Sequence, residues 1–146
     1  MKKQILKKEN ILLGLPSVSQ EKAMLKAGEL LVQTGYVDAA YIDAMFEREK
    51  IVSTYIGNAV AIPHGVGEAK DLINHSGIVV LQYPKGISYN GNTCYLVIGI
   101  AGKGNEHIKI LSNIADALSD DDSAEALSKT DDINFVFDTF TSEDES

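Results

Sequence analysis

The chain has 146 residues, the length of one domain, and its 45% apolar and 23% charged content is that of an ordinary globular protein able to bury a sizeable core. A formal charge of −8 argues against nucleic acid, whose phosphates demand a basic footprint, and leaves room for a protein partner with a basic face. A single cysteine rules out an internal disulfide, no apolar stretch nears the roughly 20 residues that span a bilayer, and the apolar part of Met1–Lys8 is too short for a secretory signal, so the cytoplasm is the expected compartment.

In chain order, Gly14-Leu15-Pro16-Ser17 reads as a turn, and Ser19 caps a helix with Ala23, Met24, Ala27, Leu30 and Leu31 at helical spacing, stopped by Gly35. A second helix is expected from Asp38, with Tyr41, Ile42, Met45 and Phe46 on one face and Arg48 near its end. Strands follow at Ala59–Ile62, Gly77–Gln82 and Tyr95–Ile100, the last two apolar enough to be covered on both faces. Between them, Tyr83-Pro84-Lys85-Gly86 and Asn90-Gly91-Asn92 read as turns bounding a small edge element. Cys94 falls in an apolar run and is assigned to packing.

A helix from about Asn105 to Leu118 carries Ile108, Leu111, Ile114, Ala115 and Leu118 as its expected buried stripe, and Asp120-Asp121-Asp122 breaks it. A short helix over Ser123–Leu127 and a last one with Ile133, Val136, Phe137 and Phe140 complete the pattern. Residues 141–146 read as an acidic tail, expected to be disordered. Helices and buried strands mingled in this way predict a single α/β domain spanning residues 1–146, its sheet flanked by helices on both faces.

Two histidines stand out. In Ile56-Gly57-Asn58-Ala59-Val60-Ala61-Ile62-Pro63-His64-Gly65 an apolar run ends in a bend that displays His64, because proline fixes φ and withholds an amide while glycine accepts φ > 0. In Gly99-Ile100-Ala101-Gly102-Lys103-Gly104-Asn105-Glu106-His107 a second run ends in a glycine-rich loop, and His107 falls in the first turn of the helix behind it. There it is expected beside unpaired backbone amides and the positive end of the helix dipole, which favour a phosphoryl group and disfavour a protonated imidazole. The histidines are too far apart in sequence to suggest a zinc site, and neither a Walker sequence nor a kinase-type glycine loop is present, so no metal, cofactor or ATP is expected.

These two segments, with the Arg48-Glu49 pair ahead of Ser53-Thr54, resemble the IIA phosphocarrier domain of the sugar phosphotransferase system, in the mannitol and fructose family. The resemblance runs from about Ile11 to Phe140, and the segment Ile98–His107 looks most like the mannitol branch. It implies a mixed sheet of about five strands. It also implies a phosphoryl group carried on His64, through the ring nitrogen further from the backbone, with His107 as a hydrogen-bond donor and Arg48 binding the phosphoryl oxygens in bidentate fashion.

Ser53 and Thr54 are further candidates for hydroxyl donors, Asn58 for bracing the loop, Glu68 for a solvated carboxylate and His75 for the surface. The implied donor is the phosphorylated histidine carrier protein, and the implied acceptor is a cysteine of the IIB domain of the mannitol permease. The alternative within the same resemblance is a regulatory IIA protein of the nitrogen or fructose type, which signals by phosphorylation-dependent protein binding. One departure from the family pattern is Ala59, where glycine often follows the asparagine; alanine is expected to keep an ordinary φ and stiffen the loop.

Overall fold

Two long apolar runs, β4 (Gly77–Tyr89) and β5 (Asn92–Ala101), form the central antiparallel pair of the sheet in a computed structural model whose described residues are 5–141. They are joined by Asn90-Gly91, both at positive φ, the combination a two-residue hairpin turn demands. Short strands extend the sheet on either side: β1 (Ile11–Leu12) lies parallel to β4, β3 (Val60–Ala61) lies parallel to β5, and β2 (Tyr55–Gly57) pairs antiparallel with β3. The order is β1-β4-β5-β3-β2, a mixed five-stranded sheet as expected.

Side chains that alternate along the strands feed two cores. Val79, Leu81, Val97 and Ala61 pack with α1 (Gln20–Gln33) and α2 (Tyr41–Ile51), through residues such as Ala27, Leu31 and Met45. Ile78, Val80, Leu96 and Ile98 face the other way, onto α3 (Asn105–Leu118), α4 (Asp121–Lys129) and α5 (Ile133–Thr141). Helices therefore cover both faces, and each fully buried aliphatic side chain here contributes about 1.5–3 kcal/mol by leaving water.

Several boundaries differ from the sequence reading for identifiable reasons. Tyr83-Pro84-Lys85-Gly86 is no turn: β4 runs through it, with a shift of register between Gln82 and Ile87 and Gly86 at φ +83°, so the residues that punctuate the sequence build a bulge. Helix α2 begins at Tyr41 and not at Asp38, whose amide is drawn to the Leu72 carbonyl next to the Val37–Ile73 bridge. The acidic run does more than break α3, because Asp120 caps α4 by accepting from the Asp122 amide, with Asp121 and Asp122 at the favourable end of its dipole.

On α3 the buried positions are Ile110, Ile114 and Leu118, while Ile108 and Ala115 are exposed. The helix is rotated about its axis from the expected stripe so that His107, not Ile108, faces inward. On α5, Ile133 is exposed while Val136 and Phe140 are buried; Thr141, read as the start of the tail, is the buried last residue of the helix. The rest of the expected tail, 142–146, lies outside the described residues.

Candidate phosphoryl site

His64 is held by extension of the sheet. It bridges Ile100 in parallel register, and the Ile100 amide donates to the Pro63 carbonyl at 3.0 Å. Tyr41, reaching from α2, closes the bend: its hydroxyl accepts from the Gly65 amide and donates to the Ile100 carbonyl, both at 2.8 Å. Gly65 is required at that spot, because a Cβ there would lie 2.7 Å from the Tyr41 ring. Burial pushes the Tyr41 phenol up to about 12, so the hydroxyl keeps its proton and both bonds at neutral pH.

His64 is 8% exposed, and its Nδ1 lies 2.7 Å from the Ile62 carbonyl oxygen. A carbonyl only accepts, so Nδ1 carries the proton and the lone pair is left on Nε2. The bare nitrogen is thus the one further from the backbone, the atom that the resemblance names for the phosphoryl group.

His107 approaches from the opposite side, its ring centroid 5.1 Å from that of His64 and its plane inclined by 57°. The close packing of its backbone on the preceding loop depends on Gly102, where a Cβ would meet the His107 Cα at 2.5 Å. Two of the amides expected to be unpaired are engaged: those of Glu106 and His107 donate to the Lys103 and Gly104 carbonyls, tightening the first turn. Arg48 lines the same cleft, of about 340 Å³, together with His64, His107, Tyr41 and Lys70. One of its guanidinium nitrogens, Nη1, donates to the Val52 carbonyl at 2.8 Å, which anchors the side chain at the end of α2.

Burial first, and nearby charge second, favour the neutral form of both imidazoles. His64 lies below the ordinary histidine value, first because it is buried; the Ile62 carbonyl opposes the shift, His107 and the Arg48 guanidinium deepen it, and Glu49 opposes it weakly. His107 is also lowered, by burial and then by Arg48. The cleft thus presents one bare imidazole nitrogen beside a second neutral ring and a fixed positive charge, which suits a group that attacks phosphorus and then needs its charge balanced.

The other candidates are placed elsewhere. Thr54 is buried with its hydroxyl 2.6 Å from Glu49 and 3.0 Å from the Tyr89 hydroxyl, and the Ser53 hydroxyl accepts from the Tyr55 amide and from Asn90 Nδ2. Both hydroxyls are engaged in holding the loop after α2, and neither residue lines the cleft. Asn58 does brace its loop, donating to the Leu118 carbonyl at 2.8 Å, and Glu68 and His75 are exposed. Ala59 departs from expectation, at φ +62° beside Asn58 at +52°: the loop keeps its left-handed bend and alanine bears the strain. Tyr41 is the functional residue that sequence reasoning left in the core stripe; its signal was a hydroxyl on a buried helix face, which must find a partner.

Residues 4–143 match the model of the family described as phosphoenolpyruvate-dependent sugar phosphotransferase system, EIIA 2. The chain belongs to this family. Among its EIIA relatives, the mannitol-specific phosphotransferase enzyme IIA component of Geobacillus stearothermophilus is 49% identical over 130 residues, covering 88% of this chain and 90% of that protein. The mannitol-specific EIICBA component of Pasteurella multocida is 47% identical over 136 residues, but these make up only 22% of that longer protein, against 90% of this chain. Among solved structures, the crystal structure of Escherichia coli IIA mannitol superposes with a TM-score of 0.86 at 41% identity, covering 93% of this chain and 99% of that one. The same Escherichia coli protein, at 40% identity and again a TM-score of 0.86, has been solved in complex with phosphorylated enzyme IIB mannitol; there 92% of this chain and 96% of that one are covered. No helix among the described residues of this EIIA chain is long and apolar enough to cross a membrane.

Proposed function

We propose that this EIIA chain accepts a phosphoryl group on Nε2 of His64 from a phosphorylated histidine carrier protein and passes it to a cysteine of a mannitol-type IIB domain. The reading rests on one observation above all: Nδ1 of His64 is committed to the Ile62 carbonyl, in a cleft shared with His107 and Arg48. In the first step Nε2 attacks phosphorus in line, the new N–P bond forms, and the donor's N–P bond breaks. In the second the IIB thiolate attacks and the His64 N–P bond breaks. A histidine nitrogen suits both directions, whereas a serine or threonine phosphoester would hold the group too firmly to pass it on.

Arg48 and His107 are assigned to the phosphoryl oxygens, the guanidinium as a bidentate donor and the imidazole as a neutral one, so that rate comes from alignment and charge placement. Mannitol as the sugar is supported by identities of 47–49% to the mannitol-specific relatives and of 40–41% to Escherichia coli IIA mannitol.

The test is reconstitution with phosphoenolpyruvate, the two general phosphocarriers and isolated mannitol and fructose IIB domains. Label is expected to reach the mannitol IIB cysteine only when this protein is present, and to stop at the carrier protein with His64→Ala. Passage of label through the His64→Ala variant, or preference for the fructose IIB, overturns the reading.

A further inference from the structure

Glu49 follows Arg48 on α2 and is half-buried, yet its carboxylate takes no place in the cleft. It accepts four hydrogen bonds: Oε1 from the Thr54 hydroxyl at 2.6 Å and the Tyr89 hydroxyl at 2.8 Å, and Oε2 from the Thr54 amide at 2.8 Å and Asn90 Nδ2 at 3.1 Å. One side chain thus ties together the end of α2, the segment leading into β2 and the tip of the β4–β5 hairpin. From Thr54 the chain of contacts runs directly to the proposed nucleophile. The Thr54 carbonyl accepts from the Ile62 amide at 3.0 Å, one step beyond the Tyr55–Ala61 pair, and the Ile62 carbonyl is the atom that holds Nδ1 of His64.

We propose that Glu49 is a positioning residue for the relay: by fixing both the amide and the hydroxyl of Thr54, it aims the Ile62 carbonyl that selects the Nδ1–H form of His64 and so bares Nε2 for phosphorus. This rests on the phosphocarrier reading for its consequence, but not for its geometry. A free imidazole prefers neither nitrogen strongly, so the form that carries its lone pair on Nε2 has to be imposed by an acceptor of fixed position. Val52 and Thr54 are gripped by successive residues, Val52 through Arg48 Nη1 and Thr54 through Glu49, so the same device also fixes where the guanidinium departs from the helix. Ser53, between them, closes the arrangement by accepting from Asn90.

The substitutions that test this differ in what they keep. In Glu49→Gln the amide oxygen still accepts from the Thr54 amide and Asn90, while the Thr54 and Tyr89 hydroxyls, which rotate, turn to accept from the new NH₂ group. In Glu49→Ala both Thr54 anchors are gone, and in Glu49→Asp the charge stays but the carboxylate retreats by about 1.5 Å, one carbon–carbon bond. The first readout is the ring ¹⁵N shifts of His64 in the unphosphorylated protein, which distinguish the two neutral forms. The second is the rate of phosphoryl transfer from the carrier protein.

Wild type and Glu49→Gln are expected to show Nδ1–H alone and transfer rates within a factor of about 3 of each other, about 0.7 kcal/mol in barrier. Glu49→Ala and Glu49→Asp are expected to show a mixture with Nε2–H and transfer at least about tenfold slower, a change of 1.4 kcal/mol. A pure Nδ1–H signal in folded Glu49→Asp overturns the proposal, as does a Glu49→Gln variant as impaired as Glu49→Ala. Should wild type itself accept no phosphate, the phosphocarrier reading fails while the ring shifts still decide the role of Glu49.

Discussion

Gly102→Ala perturbs the seat of His107 while leaving the residue itself in place, pressing on its backbone and, at 3.0 Å, on its ring Nδ1. The added Cβ would sit 2.5 Å from the His107 Cα and 2.8 Å from its Cβ, whereas ordinary contact begins at 3.4 Å. The first turn of α3 must therefore retreat by about 0.9 Å, the difference between 3.4 and 2.5 Å, because the obstructing atom is backbone and cannot rotate away. A displacement near 1 Å of a group that must meet the transferring phosphoryl costs on the order of 10²-fold in rate. The same crowding is expected to destabilise the fold by about 1–3 kcal/mol. Rapid-quench transfer from the labelled carrier protein measures the first effect, and urea unfolding the second. If the folded variant transfers with less than about a tenfold loss, a change of 1.4 kcal/mol, then His107 does not need its close seat and its assignment to the phosphoryl oxygens is wrong.

Other consequences are equally direct. Tyr41→Phe leaves the Gly65 amide and the Ile100 carbonyl without the hydroxyl that joins them, an expected loss of about 1–3 kcal/mol in urea unfolding; an unchanged midpoint would show that the bend stands without it. Arg48→Gln removes a positive charge that depresses both imidazoles, so NMR titration is expected to find the His64 and His107 values raised together, and a fall in either contradicts the electrostatic picture. The sign carries over to stability. Both folded values lie below the unfolded value of about 6.5, so their contribution is complete above that pH and is withdrawn as pH falls through the folded values. Arg48→Gln should lose less stability over this acid range than wild type. Ala59→Gly relieves a left-handed alanine worth about 1–2 kcal/mol, less about 0.4–1 kcal/mol for the freer unfolded chain; a higher urea midpoint is expected, and a lower one would refute the strain.

The α/β architecture with helices on both faces of the sheet was legible because the runs Gly77–Gln82 and Tyr95–Ile100 are apolar on both faces; Asn90-Gly91-Asn92 was legible as a turn, but not as the one that joins β4 directly to β5. The bulge in β4 was not, since proline and glycine mark a turn and a bulge alike until the partner strand is known. Strands β1 and β2, two and three residues long, carry no period to read. On α3 the expected stripe held Ile114 and Leu118, which are buried, and Leu111, which is partly so; it took Ile108 and Ala115 for Ile110, because an apolar count cannot choose between neighbouring positions on one helix.

At the site, the bend of His64 could be read from Pro63 and Gly65, but Arg48 was carried by family resemblance alone, and Ser53 and Thr54 were misplaced because a hydroxyl's partner is a tertiary fact. Glu49 stood within the quoted Arg48-Glu49 pair, yet its four donors come from segments up to 41 positions away in sequence.

The most direct test of the central claim is the ¹⁵N and ³¹P NMR spectrum of the protein phosphorylated by phosphoenolpyruvate and the general phosphocarriers. A single phosphoryl group bonded to Nε2 of His64, with Nδ1 still protonated against Ile62, is the predicted result. Phosphorus on Nδ1 of His64, or on His107, would contradict it.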